Sequence, residues 1–374
     1  MPERALEGLR VVDLSGPMGN YCGKLFADLG ADVVLVEPPG GTALRRDPTA
    51  FAYHNANKRS VVAELGDALV AALAADADVL IETERPGRLA EAGLGWAMLA
   101  EANPALVTVS ITPFGQTGPF AQFASSDLVC LALGGLLALT GYADGPPVRI
   151  AGDQSYVMGS LYGAVAGMMA VLHAEATGEG QHVDVSLQEC VATALENAPQ
   201  FYDLEGIVRG RPTGMQRQAG TGLYACADGY VYLYVGGLAS GRFWTRLVSW
   251  LVEEGVDGAE ELEQPEWLER PFLETPAAKA TFGAIFGAFA AARSKAELYE
   301  QAQGRGIPLS PVATTADVAA SPQLRHRGFF LDTPWGVSVG APYLLSATPW
   351  SLDAPAPALG ADTDAVRAEI GVAR

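Results

Sequence analysis

The stretch from Leu9 to Pro39 constrains this chain more than any other. L-R-V-V-D-L (9–14) reads as a buried strand and S-G-P-M-G-N-Y (15–21) as a loop. A helix follows over Cys22 to Leu29, and G-A-D-V-V-L-V-E-P-P (30–39) reads as a second strand. Strand, glycine-containing turn, helix and strand within about thirty residues make a βαβ unit, which favours a parallel sheet with a right-handed crossover. The turn lacks G-x-G-x-x-G, so the dinucleotide-binding fingerprint is missing, and Glu37 matches its ribose-binding acid in position only.

The pattern continues with a strand at Asp76–Glu82, a helix over Leu89–Ala102 and a strand at Leu106–Ile111. Ligands of open α/β sheets bind outside the carboxyl ends of the strands. The segments Gly16–Tyr21 and Gly40–Arg46 are therefore expected at one sheet edge, together with Arg85 and Gln116. Basic and amide groups gather in G-G-T-A-L-R-R (40–46) and N-A-N-K-R (55–59), within an otherwise acidic chain.

From Ile150 to Leu187 a single acid, Asp153, precedes a long apolar run in which Gly159, Gly163 and Gly167 recur at i, i+4 and i+8. On a helix these glycines share one face. Each costs roughly 1 kcal/mol relative to alanine, so three in register point to a close approach by another backbone, another helix or a ligand. T-G-E-G-Q stops the helix near Ala176, and His182–Leu187 alternates like a strand. At a helix start Asp153 can serve as an N-cap or carry chemistry, and the pattern leaves both open.

Asp127–Leu139 and Glu189–Leu204 read as helical, and Gly206–Gly222 as a loop rich in Gly, Arg and Gln. G-L-Y-A-C-A-D-G-Y-V-Y-L-Y-V (222–235) is a β-hairpin with D-G at its turn. Helical patterns over Phe243–Glu253, Ala277–Ala291 and Lys295–Gln303 follow. The change of class predicts two domains. Residues 1–205 begin a large α/β domain, 206–221 link, and 222–325 form a small α+β domain.

Length agrees with two domains, since 374 residues exceed one small core. The composition, 49% apolar and 18% charged, is that of a soluble globular protein. A net charge of −19 argues against nucleic acid, which requires basic patches. Cys22, Cys130, Cys190 and Cys226 are widely spaced without C-x-x-C, so neither structural zinc nor any other metal is expected. M-P-E-R-A-L-E-G-L-R lacks the apolar core of a signal peptide, and the longest apolar run, Leu128–Leu139, is too short to cross a bilayer. A cytoplasmic protein without a membrane partner is the expectation.

The Asp153 stretch and a series of ordered blocks resemble the family III CoA-transferases. The blocks are L-x-G-x-R-V-V-D-L-S and L-F-A-D-L-G-A-D-V-V-L-V-E-P-P (6–39), N-A-N-K-R-S (55–60), E-T-E-R-P-G (82–87) and N-P-A-L-V-T-V-S (103–110). F-G-Q-T-G-P (114–119), T-G-E-G-Q-H-V-D-V-S-L (177–187) and L-G-A-D-T-D-A-V (359–366) complete the series. The resemblance implies a Rossmann-like large domain built from both chain ends, with 326–374 as return linker and C-terminal part of it, a smaller inserted domain and an interlocked homodimer. It implies coenzyme A, as acyl-CoA substrate, lying along the large domain, with a free carboxylic acid as co-substrate and no metal. Asp153 matches the family's catalytic aspartate. Lys58 and Arg59 match a basic pair at the CoA end and Arg85 a residue beside the nucleotide; Asn55, Thr83 and Arg45 are assigned to the same ligand. Met18, Ser126 and Tyr156 are expected to border the acyl pocket.

For a transferase the resemblance implies covalent carboxylate catalysis through an aspartyl anhydride and an aspartyl-CoA thioester. The racemase branch adds a His base where S-S-D-L-V-C (125–130) places Ser126, and a Glu after the hairpin where V-G-G-L-A-S (235–240) has none. A hydroxyl is no near-neutral base, so transfer is favoured over α-methylacyl-CoA racemisation. The glycine run found in the oxalate-using member of this family is thinned here to Gly214, Gly220 and Gly222, which argues against small dicarboxylates specifically. Intramolecular CoA transfer and a CoA-binding protein without turnover stand as alternatives.

Overall fold

The computed structural model describes residues 4–212, 214–236 and 240–372. Two compact units divide the chain. One comprises residues up to Ala138, Arg149–Val208 and the segment from Gln323 onward; the other comprises Leu139–Val148 and Arg209–Pro322.

The first unit is α/β. Its strands and helices alternate as β1 (Arg10–Asp13), α1 (Asn20–Asp28), β2 (Asp32–Glu37), α2 (Pro48–Asn55), β3 (Arg59–Val62), α3 (Ala68–Asp76) and β4 (Val79–Glu82). There follow α4 (Arg88–Glu91), α5 (Trp96–Ala102), β5 (Val107–Thr112), α6 (Asp127–Leu133), α7 (Gln154–Thr177), β6 (His182–Ser186), α8 (Leu187–Thr193) and α9 (Ala198–Glu205). Strands β1–β6 form one sheet in the order β3-β2-β1-β4-β5-β6, each neighbouring pair parallel. Central strands of such a sheet are covered on both faces, hence their continuous apolar runs. Val11, Val33, Val79 and Val109 pack on one face with Phe26 of α1 and Val171 of α7. Val12, Val34 and Leu80 pack on the other with Leu69 of α3 and Leu99 of α5.

Both chain ends build this unit. The Ser60 N–H donates to Asp362 Oδ2 (2.8 Å) and the Val62 N–H to Thr363 Oγ1 (3.1 Å), so side chains near helix Thr363–Glu369 satisfy donors of the edge strand β3. An edge paired this way offers no template for aggregation.

The glycine face of α7 meets β5. A Cβ at Gly159 would overlap Leu187 Cδ2, one at Gly163 would lie 2.9 Å from Ile111 Cδ1, and one at Gly167 3.1 Å from Val109 Cγ2. The glycines thus serve helix-on-sheet approach. Gly178, left-handed at φ +80°, ends the helix. At 24 residues α7 is the one described helix long and apolar enough to cross a membrane by length and composition. The sequence points instead to Leu128–Leu139, because Ser155, Ser160, His173, Glu175 and Thr177 interrupt the apolar run of 154–177.

The second unit carries an antiparallel sheet, β7 (Gln216–Gln218), β8 (Thr221–Cys226), β9 (Gly229–Tyr234) and β10 (Leu309–Pro311), ordered β10-β9-β8-β7. Helices Ser240–Glu253 and Pro276–Ala291 supply its aromatic core, in which Trp244 stacks on Trp267 at 5.5 Å. The sequence assigned 139–148 to the large domain, but this segment clusters with the second unit. Arg211 Nε donates to Tyr142 O (3.0 Å), Arg211 Nη2 to Gly145 O (3.0 Å), and the Ala143 N–H to Pro212 O (3.0 Å). Partners some seventy residues away in the chain set that boundary, which local pattern does not reveal.

Candidate active site

The strand order of the first sheet reverses between β1 and β4, and the loops after these strands diverge to open a crevice at the carboxyl edge. The Gly16 N–H reaches across it to Thr83 Oγ1 at 2.7 Å. A cleft of about 250 Å³ lies here, lined by Met18, Thr83, Arg85, Phe123, Ser125 and Tyr156 among others. Four of the residues expected from the sequence therefore share it. A larger cavity of about 640 Å³ lies between α2 and the hairpin Phe330–Val339, lined by Tyr53 and Trp335 but by no carboxylate. The smaller cleft has Glu84 as its lining carboxylate, and Tyr156, one turn into α7, connects it to the start of that helix, which Asp153 precedes.

Asp153 occupies the N-cap position of α7, one turn before Tyr156, yet its side chain caps nothing. The cap comes from elsewhere. Asp127, at the start of α6, accepts from the Ser155 N–H and the Ser155 hydroxyl through Oδ1, both at 2.9 Å. Tyr156 in turn accepts the Asp127 N–H on its hydroxyl (3.1 Å), which fixes α6 against the first turn of α7. The Asp153 carboxylate is left 58% exposed, with Arg149 Nη2 3.0 Å from Oδ1. The same Nη2 lies 3.4 Å from Asp127 Oδ2, whose side chain is 4% exposed. A carboxylate at a helix N-terminus that caps nothing and stays exposed is accessible to an incoming group.

The basic residues are distributed otherwise than the resemblance suggested. Lys58 is buried, and its ammonium donates to Asp13 Oδ2 (2.8 Å), Asn20 O (3.0 Å) and Asn55 Oδ1 (3.0 Å). All three of its donors are engaged inside the protein, in a buried network that includes Asn55. Arg59 begins β3 and lies at the amino edge of the sheet, away from the crevice. It binds Asp32 through Nε (2.9 Å) and Nη2 (2.6 Å) and Glu369 through Nη1 (2.7 Å). Arg45 forks onto Glu37 at 2.7 and 2.6 Å and stacks over Phe51. Burial tends to raise the Glu37 carboxyl, but bonds from Arg45, Ser60 and the Thr42 N–H outweigh it and hold the group below its ordinary value. Both members of that pair are engaged with one another at the carboxyl end of β2. Arg85 alone among these cations lines the cleft, paired with exposed Glu91 at 2.7 Å.

Ser126 lies beside the cleft and accepts the Val129 N–H at 3.4 Å as the cap of α6. Met18 is held by its carbonyl, which accepts from Ser160 Oγ at 3.0 Å. Glu82 and His54, near the sheet edge, also depart from ordinary values. Burial pushes the Glu82 carboxyl up to about 7, against bonds from Ser110 and the Glu84 N–H. Burial, with Lys58 and Lys24 nearby, lowers His54 to about 4.

Sequence reasoning missed Asp127, Arg149 and the aromatic chain Phe114–Phe120–Phe123, whose rings follow at 6.0 and 5.1 Å. The i,i+4 spacing of Arg149 and Asp153 was the available signal. The Asp127–Ser155 contact left none, because it spans 28 positions of chain.

Comparison with known proteins identifies the family. The sequence model described as CoA-transferase family III matches residues 6–363. The BbsE subunit of succinyl-CoA:(R)-benzylsuccinate CoA-transferase of Thauera aromatica is 39% identical, over 97% of this chain and 93% of that protein. Succinyl-CoA–D-citramalate CoA-transferase of Chloroflexus aurantiacus is 30% identical, over 96% and 92%. The crystal structure of a CAIB/BAIF family protein from Brucella suis superposes with a TM-score of 0.88 at 30% identity, covering 98% of this chain and 99% of that one.

Proposed function

This chain belongs to CoA-transferase family III and is an acyl-CoA:carboxylate CoA-transferase; from that premise we propose that Asp153 is its covalent nucleophile and succinyl-CoA its donor. The observation that carries the reading is the uncapped Asp153 carboxylate at the start of α7, exposed beside Arg149. Asp153 attacks the donor thioester, giving a mixed anhydride and CoA thiolate. The thiolate attacks the aspartyl carbonyl and releases the donor acid, leaving an aspartyl-CoA thioester. The acceptor carboxylate then repeats the sequence in reverse. Each step preserves one activated acyl group, and the α7 N-terminus offers N–H dipoles to the developing oxyanion.

The acceptor is a substituted succinate, which replaces the expectation against small dicarboxylates drawn from the thinned glycine run, since the relatives are named for succinyl-CoA and succinate. Phe123, Met18 and Tyr156 give the cleft an apolar wall suited to a substituent, and two relatives are named for benzylsuccinate and citramalate. Arg45, Thr83 and Arg85 lie on the carboxyl edge along which the CoA moiety would run. The outward face of α7 exposes Leu161, Val165, Met169 and Leu172, which supports a second chain covering it, within a cytoplasmic homodimer. A second reading, assembly with a different subunit, is favoured by the Thauera relative being named as one.

The test is turnover of succinyl-CoA with (R)-benzylsuccinate by the purified chain, followed by mass spectrometry of the CoA products. Transfer that is lost in Asp153→Asn while succinyl-CoA still binds supports the nucleophile; unchanged turnover in Asp153→Asn overturns it. Activity only after a second chain is added would select the heteromeric assembly.

A further inference from the structure

We propose that Arg149 is the residue that receives the acceptor carboxylate, and that Asp153 keeps it occupied until Asp153 is acylated. The inference rests on Asp153 being the nucleophile and deepens that reading. Arg149 is half-exposed and touches the reacting group itself, with Nη2 3.0 Å from Asp153 Oδ1. Its second contact, Asp127 Oδ2 at 3.4 Å, is to a buried carboxylate whose other oxygen is committed to Ser155. Both contacts use Nη2; among the described residues Nε and Nη1 have no protein partner. A guanidinium carries five donors in a planar fork that matches a carboxylate. Arg149 is therefore tethered on one side and open on the other.

The charge arithmetic gives the tether a function. In the free enzyme Asp153 and Arg149 neutralise one another, and an exposed pair of this kind exchanges readily because it contributes little. Acylation turns the Asp153 carboxylate into a neutral acyl group. The guanidinium then loses that anionic partner beside the electrophilic carbon, while Asp127 keeps it in place. An incoming carboxylate takes the vacated position, one oxygen on Arg149 and the other aimed at the aspartyl carbonyl. That oxygen forms the new C–O bond, the C–S bond breaks, and CoA leaves as thiolate. The thiolate then attacks the acceptor's acyl carbon, forming C–S, and the C–O bond to Asp153 breaks. Asp153 departs as a carboxylate onto Arg149, which restores the resting pair. No proton, oxidant or further reactant is needed.

The acceptor thus binds the acylated enzyme and is refused by the free enzyme, which orders the two half-reactions. The experiment follows exchange of ¹³C-succinate into succinyl-CoA, which requires no knowledge of the natural acceptor. Acylation is read separately, as hydroxylamine-trapped Asp153 after mixing with succinyl-CoA alone. For Arg149→Gln the expected result is a rise of tenfold or more in the succinate KM, with acylation within threefold of wild type. Arg149→Lys, which keeps the charge without the fork, should recover part of the loss. Exchange unchanged in Arg149→Gln, or acylation falling in parallel with exchange, overturns the proposal. Absence of a trapped adduct in the wild-type enzyme would instead sink the nucleophile itself.

Discussion

Asp127 caps the helix that Asp153 precedes: its Oδ1 accepts both the N–H and the hydroxyl of Ser155 at 2.9 Å, across 28 positions of chain. The residue in the cap position is thereby relieved of capping. Supplying the cap from α6 leaves the exposed carboxylate to chemistry and keeps the helix start rigid.

Replacing Asp127 tests that division of labour. Asp127→Ala leaves the Ser155 N–H buried without its acceptor and should cost about 1–3 kcal/mol of stability. Asp127→Asn retains an acceptor oxygen and should cost less. Thermal unfolding of the two variants beside Asp153→Asn checks this, and Asp153→Asn should melt close to wild type. A larger loss in Asp153→Asn than in Asp127→Ala would return the capping role to Asp153.

The glycine face predicts a stability cost against helix propensity. Gly159→Ala should gain roughly 1 kcal/mol in an exposed helix. Here the added methyl meets buried Leu187, and overpacking of this kind costs about 1–3 kcal/mol. A net loss in urea denaturation is expected. A net gain would mean that α7 stands off from β5 and α8.

Lys58 should behave as a core residue. Its ammonium lies 2.8 Å from Asp13 Oδ2 with both side chains buried. Lys58→Met strands the Asp13 charge and should destabilise by about 3–5 kcal/mol, whereas Lys58→Met with Asp13→Asn should recover much of that. A stable Lys58→Met that instead loses affinity for CoA would restore the ligand role implied by the resemblance.

Glu82 sets a pH dependence whose sign is fixed. Its carboxyl titrates at about 7 in the fold, against 4.5 as the ordinary value, because burial disfavours the charge. The neutral form's contribution is fully present below pH 4.5 and is lost as pH rises toward 7. Glu82→Gln removes that loss, so at pH 8 it should gain about 3 kcal/mol relative to its standing at pH 4. His54, held down to about 4, has the opposite slope between 6.5 and 4, but it is shared by both proteins and cancels. Parallel stability curves for wild type and variant would show Glu82 to be solvated.

Much of the first unit was legible from local pattern. β1, α1 and β2 stand where the βαβ spacing predicts them, and α7 ends at Thr177, one residue past the expected Ala176. β3 was missed because R-S-V-V is only four residues long and directly follows a polar loop. The helices expected over 89–102, 127–139 and 189–204 are each broken. The first breaks between Glu91 and Trp96, the second after Leu133, where Gly134 and Gly135 stand, and the third between Thr193 and Ala198. Apolar periodicity carries through such breaks, so it does not report them.

The sequence by itself determined the parallel sheet, the glycine-faced helix, the family and the acid at the helix start, because each is written in residues near one another along the chain. Only the tertiary structure decided which charge meets which. Lys58 turns inward to Asp13, 45 positions away, Arg59 goes to the far edge with Asp32 and Glu369, and Asp127 takes the cap that Asp153 leaves. A cation costs most when it is buried alone, so its partner is selected by the packed fold rather than by its place in a motif.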